Sequence, residues 1–152
     1  MKKLKKFLFF GFLSVMTLFS ASCSSSGDEE DLESYVKVEA SAFKSRIDAT
    51  TNPQILDYRS AAEYAAGHIP GAINIEGTNQ SAEAENGPFR SAVRNAFSTA
   101  KTIYVYGSKS TNNTLGFYLC GIISKMGWGE SKTIHMINGY ESWVAAGYTV
   151  EK

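Results

Sequence analysis

The chain has 152 residues, 43% of them hydrophobic, with 15 basic and 15 acidic side chains, which suits one globular domain with a short appendage. Setting aside the first 22 residues, which carry four lysines and no acid, leaves 11 basic and 15 acidic side chains and a formal charge of −4. That balance lacks the basic footprint DNA or RNA binding requires, so no nucleic-acid partner is expected.

The first element reads as a secretion signal. Lys2, Lys3, Lys5 and Lys6 make a positive start, residues 7–19 are apolar, and Ser20-Ala21-Ser22 supplies small residues before Cys23. A retained membrane anchor is the alternative, but the apolar run is shorter than the ~20 residues that span a bilayer. A cysteine so placed resembles a lipobox, in which the thiol is lipidated and becomes the N-terminus of a lipoprotein, although Ser20 stands where that motif usually has Leu. The plainer reading of Cys23 is an ordinary linker residue, open to oxidation outside the cytoplasm. Ser24-Ser25-Ser26-Gly27-Asp28-Glu29-Glu30-Asp31 offers no hydrophobe to bury and reads as a tether. Its acidic block also resembles the signal some Gram-negative bacteria use to send lipoproteins to the cell surface; simple solvation explains it equally. The organisation expected is a signal over 1–22, a tether over 23–34 and a domain over 35–152. The expected location is the bacterial cell envelope, as an outer-membrane lipoprotein held to the membrane through Cys23, with surface exposure left open.

From Tyr35 onward, β-rich runs at 35–38, 55–57, 72–75, 103–106 and 134–137 alternate with helical windows. Ser41 is a candidate N-cap for a helix over 42–49, Ser60 for one over 61–66, and Asn113 for one reaching about Met126. Pro88 suits the first turn of a helix running to about Ala100, and Gly139 precedes a last helix ending at Ala146. This order predicts an α/β domain with a mainly parallel five-stranded sheet and helices on both faces. Ligands of such sheets sit where strand ends meet helix starts, which points to the polar loop after Tyr106. The segment 76–87, rich in Asn, Gln, Glu and Gly, is expected to be an exposed loop near that rim.

Three motifs give this order an identity to test. Ile55-Leu56-Asp57-Tyr58-Arg59-Ser60, then Glu63-Tyr64, then Gly67-His68-Ile69-Pro70-Gly71-Ala72-Ile73-Asn74-Ile75 together resemble the first half of a rhodanese-like domain. Asn138-Gly139-Tyr140-Glu141-Ser142-Trp143 is similar to that family's last helix, which makes Trp143 a core residue. The resemblance implies a cysteine at the end of the fourth strand that carries sulfur as a persulfide. It also implies that Asp57 and Arg59 buttress the loops around that site and that His68 is a turn residue.

The cysteine is missing. Matching Val105-Tyr106-Gly107 to the family's strand end puts Gly107 in its place, whereas counting back from Gly127-Trp128 gives Ser110. Serine does not replace it, because its hydroxyl is far harder to deprotonate and makes no persulfide. Cys120, the one other cysteine of the chain beside Cys23, lies thirteen residues past Gly107 inside an apolar helix, where a buried structural thiol is expected. A relocated nucleophile at Cys120 is the alternative and needs that helix to begin late.

The remaining loop is still polar. Ser108, Ser110, Thr111, Asn112, Asn113 and Thr114 offer hydroxyls and amides, and Lys109 a cation, before a helix start. Such a loop binds an anion or polar ligand, or simply satisfies itself with turns and a cap. His68 and His135 stand apart from any Cys or carboxylate cluster, so no metal or other cofactor is expected. The reading is therefore a membrane-anchored, catalytically inactive rhodanese-like domain that binds an unknown protein or small anionic ligand. Its rim comprises Gly107 to Thr114, Asp57 to Ser60 and the 76–87 loop. The rival is a thiosulfate-type sulfurtransferase using Cys120 or a non-standard site, and a third option is a structural part of a surface lipoprotein assembly.

Overall fold

The computed structural model describes residues 35–79, 82, 84–110 and 114–152. The signal, Cys23 and the tether lie outside the described residues, as do Thr111, Asn112 and Asn113.

Strands β1 (Val36–Val38), β2 (Gln54–Asp57), β3 (Ala72–Asn74), β4 (Ile103–Tyr106) and β5 (Thr133–Met136) form one sheet in the order β1-β5-β4-β2-β3. Every pairing is parallel. Among the described residues the α-helices are α1 (Ala40–Asp48), α2 (Ala61–Ala66), α3 (Pro88–Ala96), α4 (Leu115–Ile123) and α5 (Gly139–Ala145). Central strand β4 reads Ile-Tyr-Val-Tyr with all four residues buried, as a parallel strand covered on both faces must. Ile103 and Val105 pack with Phe89 and Val93 of α3 and Leu119 and Ile123 of α4. Tyr104 and Tyr106 pack the opposite way, with Phe43 and Ile47 of α1 and Trp143 of α5. Each such side chain contributes about 1.5–3 kcal/mol of burial, so the strand's alternation fixes which helix lies on which face.

The helix ends differ from expectation where a core residue overrides a local signal. Helix α1 starts at Ala40 with Glu39 in the cap position and no side-chain cap bond, not at Ser41, because Ala40, Phe43 and Ile47 must share one buried stripe. Helix α3 stops at Ala96 rather than near Ala100, since the extended Phe97 turns into the core. The next turn is latched by Gln54, whose amide accepts from the Ser98 N–H at 2.7 Å and donates to the Ser98 carbonyl at 3.0 Å. Helix α4 ends at Ile123 and widens into a π turn, Ser124–Trp128, instead of running regularly to Met126. There Gly127 takes φ +114°, a value open to glycine, and Trp128 swings back into the core. Gly139 is the first residue of α5, not the one before it, and α5 ends at Ala145.

Helix α2 matches its prediction residue for residue. Ser60 accepts from the Glu63 N–H at 3.3 Å while the Glu63 carboxylate accepts from the Ser60 N–H at 3.1 Å, a reciprocal capping box. Most described residues of the 76–87 segment are exposed, as expected of a loop, but three are buried. Ala82 is fully buried, and its carbonyl accepts from Arg90 Nε at 2.7 Å, so the described part of this loop is pinned to α3.

Candidate functional site

The rim at the carboxyl ends of β2, β3 and β4 is built outward from a buried ion pair. Asp57 ends β2 with its side chain sealed from solvent, and Arg59 folds back over it. Arg59 Nε donates to both carboxylate oxygens, at 3.0 and 3.1 Å, and Nη2 donates to Oδ2 at 2.6 Å. The same Nη2 donates to the Gly67 carbonyl at 2.8 Å, so the pair ties β2 to the end of α2. The guanidinium lies 3.9 Å from the Tyr140 ring centre, a cation–π contact that brings in α5. Burial works against the Arg59 charge, but hydrogen bonding and attraction from Asp57 outweigh it and hold the group above its ordinary pKa. Asn74 Nδ2 donates to the Asp57 and Arg59 carbonyls, at 3.1 and 2.8 Å, fixing β3 to the same corner. Tyr106 Oη accepts from the Ile69 N–H at 3.1 Å, and burial, then Asp57, raises its pKa far out of reach. Asp57 is thus a buttress beneath the rim, and Arg59 is the member of the pair that reaches its wall.

The loop after β4 is held from α5. The Gly107 carbonyl accepts from the Tyr140 N–H at 2.7 Å, and the Lys109 N–H donates to the Glu141 carboxylate at 2.7 Å. Gly139, at φ +65°, lets the two backbones touch, since a Cβ there would lie 2.8 Å from the Gly107 oxygen. Ser108 is buried and its Oγ sits 3.0 Å from Ser110 Oγ. Lys109, Ser110 and Thr114 are exposed, and Thr114 occupies the cap position of α4 expected for Asn113, without a side-chain cap bond.

A cleft of about 210 Å³ opens at this rim, lined by Tyr58, Arg59, Ser60, Glu63, Glu76, Gly77, Ser108 and Leu115. It joins the three segments that sequence reasoning had named, through Arg59 and Ser60, Glu76 and Gly77, and Ser108. Gly107, Lys109, Ser110 and Thr114 are not among its lining residues. Tyr58 also lies within the named span 57–60, whereas sequence reasoning missed Glu63 and Leu115 as members. Glu63 could have been found as the capping-box partner of Ser60, three residues on. A larger cleft, about 260 Å³, lies on the other side of the sheet between α1, β2 and α5. Its wall is mostly apolar, and its charges, Lys44 and Asp48, already pair with each other. The strand-end cleft, with hydroxyls and carboxylates converging on it, is therefore the better candidate.

Cys120 lies in the core. It has no exposed surface, packs with Leu56, Val105 and Leu119, and burial pushes its pKa well above the ordinary thiol range. His135 lies in β5, paired on both sides by β1 and β4, and is fully buried. His68 stacks on Tyr64 with ring centres 3.8 Å apart and exchanges backbone hydrogen bonds with Glu151, both 2.9 Å, as a turn residue that also ties down the C-terminus. Among the described residues no group of three His, Cys, Asp or Glu side chains is arranged to hold a metal ion, and no helix is long and apolar enough to cross a membrane.

A parallel α/β sheet with a polar cleft beside the loop after its central strand defines a broad class of domains, and comparison narrows it. The family model for the rhodanese-like domain matches residues 39–146, and the chain belongs to that family. The fold is shared with the rhodanese-like domain of the Anabaena Alr3790 protein, at 22% identity over 76% of this chain and 77% of that one, TM-score 0.57. It is shared with the BH2092 protein of Bacillus halodurans, at 23% identity over 78% and 77%, TM-score 0.58. A thiosulfate sulfurtransferase of Pseudomonas aeruginosa is similar at 18% identity over 78% of this chain and 19% of that larger one, TM-score 0.55. No curated protein matches the chain.

Proposed function

We propose that this chain is an envelope-tethered rhodanese-like domain that has lost sulfurtransferase activity and works by binding a partner protein at the strand-end rim. The observation that carries the reading is the chemistry at the end of β4. The two cysteines of the chain are Cys23 and Cys120. Gly107 follows the strand where the family's thiol is expected, and Cys120 is sealed in the core with a raised pKa. Persulfide chemistry needs an accessible thiolate, and a buried thiol with a raised pKa supplies neither access nor anion.

The electrostatics support the same reading. Glu63 and Glu76 stand on the cleft wall, and Arg59 is committed to Asp57. Hydrogen bonds from Ser60 hold the Glu63 pKa below its usual range, so this carboxylate is charged at neutral pH. The Lys109 N–H, a loop donor of the kind that would cradle an anion, already serves the Glu141 carboxylate. Such a wall favours a polar protein surface over a small anion like thiosulfate. Lipidation at Cys23 and an outer-membrane address are part of the proposal and rest on the N-terminal sequence alone.

The test is a thiosulfate:cyanide sulfurtransferase assay on the protein beginning at Ser24, with Cys120→Ala alongside. No turnover in either protein is expected. Turnover lost in Cys120→Ala would make the domain an enzyme and overturn the reading.

A further inference from the structure

The slot beside Gly107 is filled. A side chain begun at position 107 would run its Cβ into the ring of Tyr58, well inside contact distance of Cζ and Cε2 and 2.5 Å from Oη. A Cβ at Gly116, in the first turn of α4, would collide with the same Tyr58 Oη and lie 2.9 Å from His135 Nε2. Tyr58 is only 2% exposed, and its backbone is fixed by bonds from its own N–H to the Tyr106 carbonyl and from the Gly77 N–H to its carbonyl, both 3.1 Å. One phenol therefore packs directly against two glycines, one in the loop after β4 and one in α4, at the place where the family presents its nucleophile.

We infer that Tyr58 is a built-in occupant of the nucleophile slot, so the site was remodelled into an aromatic-floored cleft by three matched positions, 58, 107 and 116, and not by the loss of a thiol alone. This deepens the proposed function and shares with it the equation of position 107 with the family's cysteine. A partner would meet the edge of a packed phenol and the hydroxyls of Ser60 and Ser108, and a cysteine put back at 107 would find no room.

The sign of one substitution tests this. Gly107 does not have the left-handed backbone that favours glycine, so replacing it with alanine should stabilise an unobstructed site by restricting the unfolded chain. With Tyr58 in the way, Gly107→Ala should instead lower the melting temperature by roughly 4–12 °C, the range expected for overpacking. Combining it with Tyr58→Val should cancel most of that loss relative to Tyr58→Val alone, while combining it with Tyr58→Phe, which keeps the ring, should not. Gly116→Ala supplies an independent arm, since alanine is the better helix former yet should also destabilise. If Tyr58→Val does not fold, the signs of Gly107→Ala and Gly116→Ala still decide the matter. Melting temperatures unchanged or raised in both glycine variants would overturn the inference. Sulfur transfer by the wild-type protein would overturn the proposed function and leave this steric result standing, so the two failures are distinguishable.

Discussion

Replacing Asp57 by Asn tests the architecture of the rim most severely. Asp57 has no exposed side-chain surface and its partner Arg59 is 4% exposed, so solvent does little to screen the pair. The substitution keeps the shape but leaves the Arg59 charge buried without its counter-charge, with one amide oxygen in place of two carboxylate acceptors. Removing one member of a buried pair typically costs about 3–5 kcal/mol. For a domain with a urea m-value near 2 kcal/mol/M, within the usual range of about 1–3, that is a midpoint fall of roughly 2 M. Replacing both members, Asp57→Leu with Arg59→Met, should cost less than either single change, because no lone charge is then left inside. Urea unfolding followed by tryptophan fluorescence reads this directly, since Trp128 and Trp143 are both buried. A single-variant loss below about 1 kcal/mol, typical of an exposed pair, would refute the reasoning.

Three further expectations follow from particular groups. Burial, and secondarily the Lys37 charge, pushes the His135 pKa down to about 4, so the folded protein refuses a proton that the unfolded chain accepts at its ordinary value of 6.5. Its contribution to stability is complete above about pH 6.5 and is lost as pH falls toward 4, by about 3 kcal/mol in all, and a His135→Gln variant should show a flatter stability profile across that window. The Cys120 thiol should resist alkylation in the native protein and react only at the rate of opening under denaturant; fast native labelling would mean that α4 starts later than Leu115. Ser60→Ala should cost about 1 kcal/mol through loss of the α2 cap, and Glu63→Gln less, measured as shifts in the urea midpoint.

The sheet was legible because burial writes itself into short strands. Ile103 to Tyr106, flanked by polar turns, can only be a strand covered on both faces, and the five β-rich runs agree with the observed strands to within a residue at each end. Helix ends were less legible. They depend on Phe97 and Trp128, whose reach into the core overrides local propensity. Ser60 was readable as a cap because its partner Glu63 stands three residues on, whereas Ser41 has no such partner and the apolar stripe of α1 prevailed. At the site, that the residue after β4 is Gly107 and not a cysteine was visible in the sequence. The interlock of Tyr58 with Gly107 and Gly116 was not, since it joins a strand end to a loop 49 positions on and a helix 58 positions on. Glu141 holding the Lys109 N–H is hidden for the same reason.

The most direct measurement of the central claim is the intact mass of the protein after incubation with excess thiosulfate, taken on the chain beginning at Ser24 and on its Cys120→Ala variant. The account predicts an unchanged mass for both. A gain of one sulfur atom by the unmodified sequence that disappears in Cys120→Ala would place a working thiol where the structure shows a sealed core, and would contradict it.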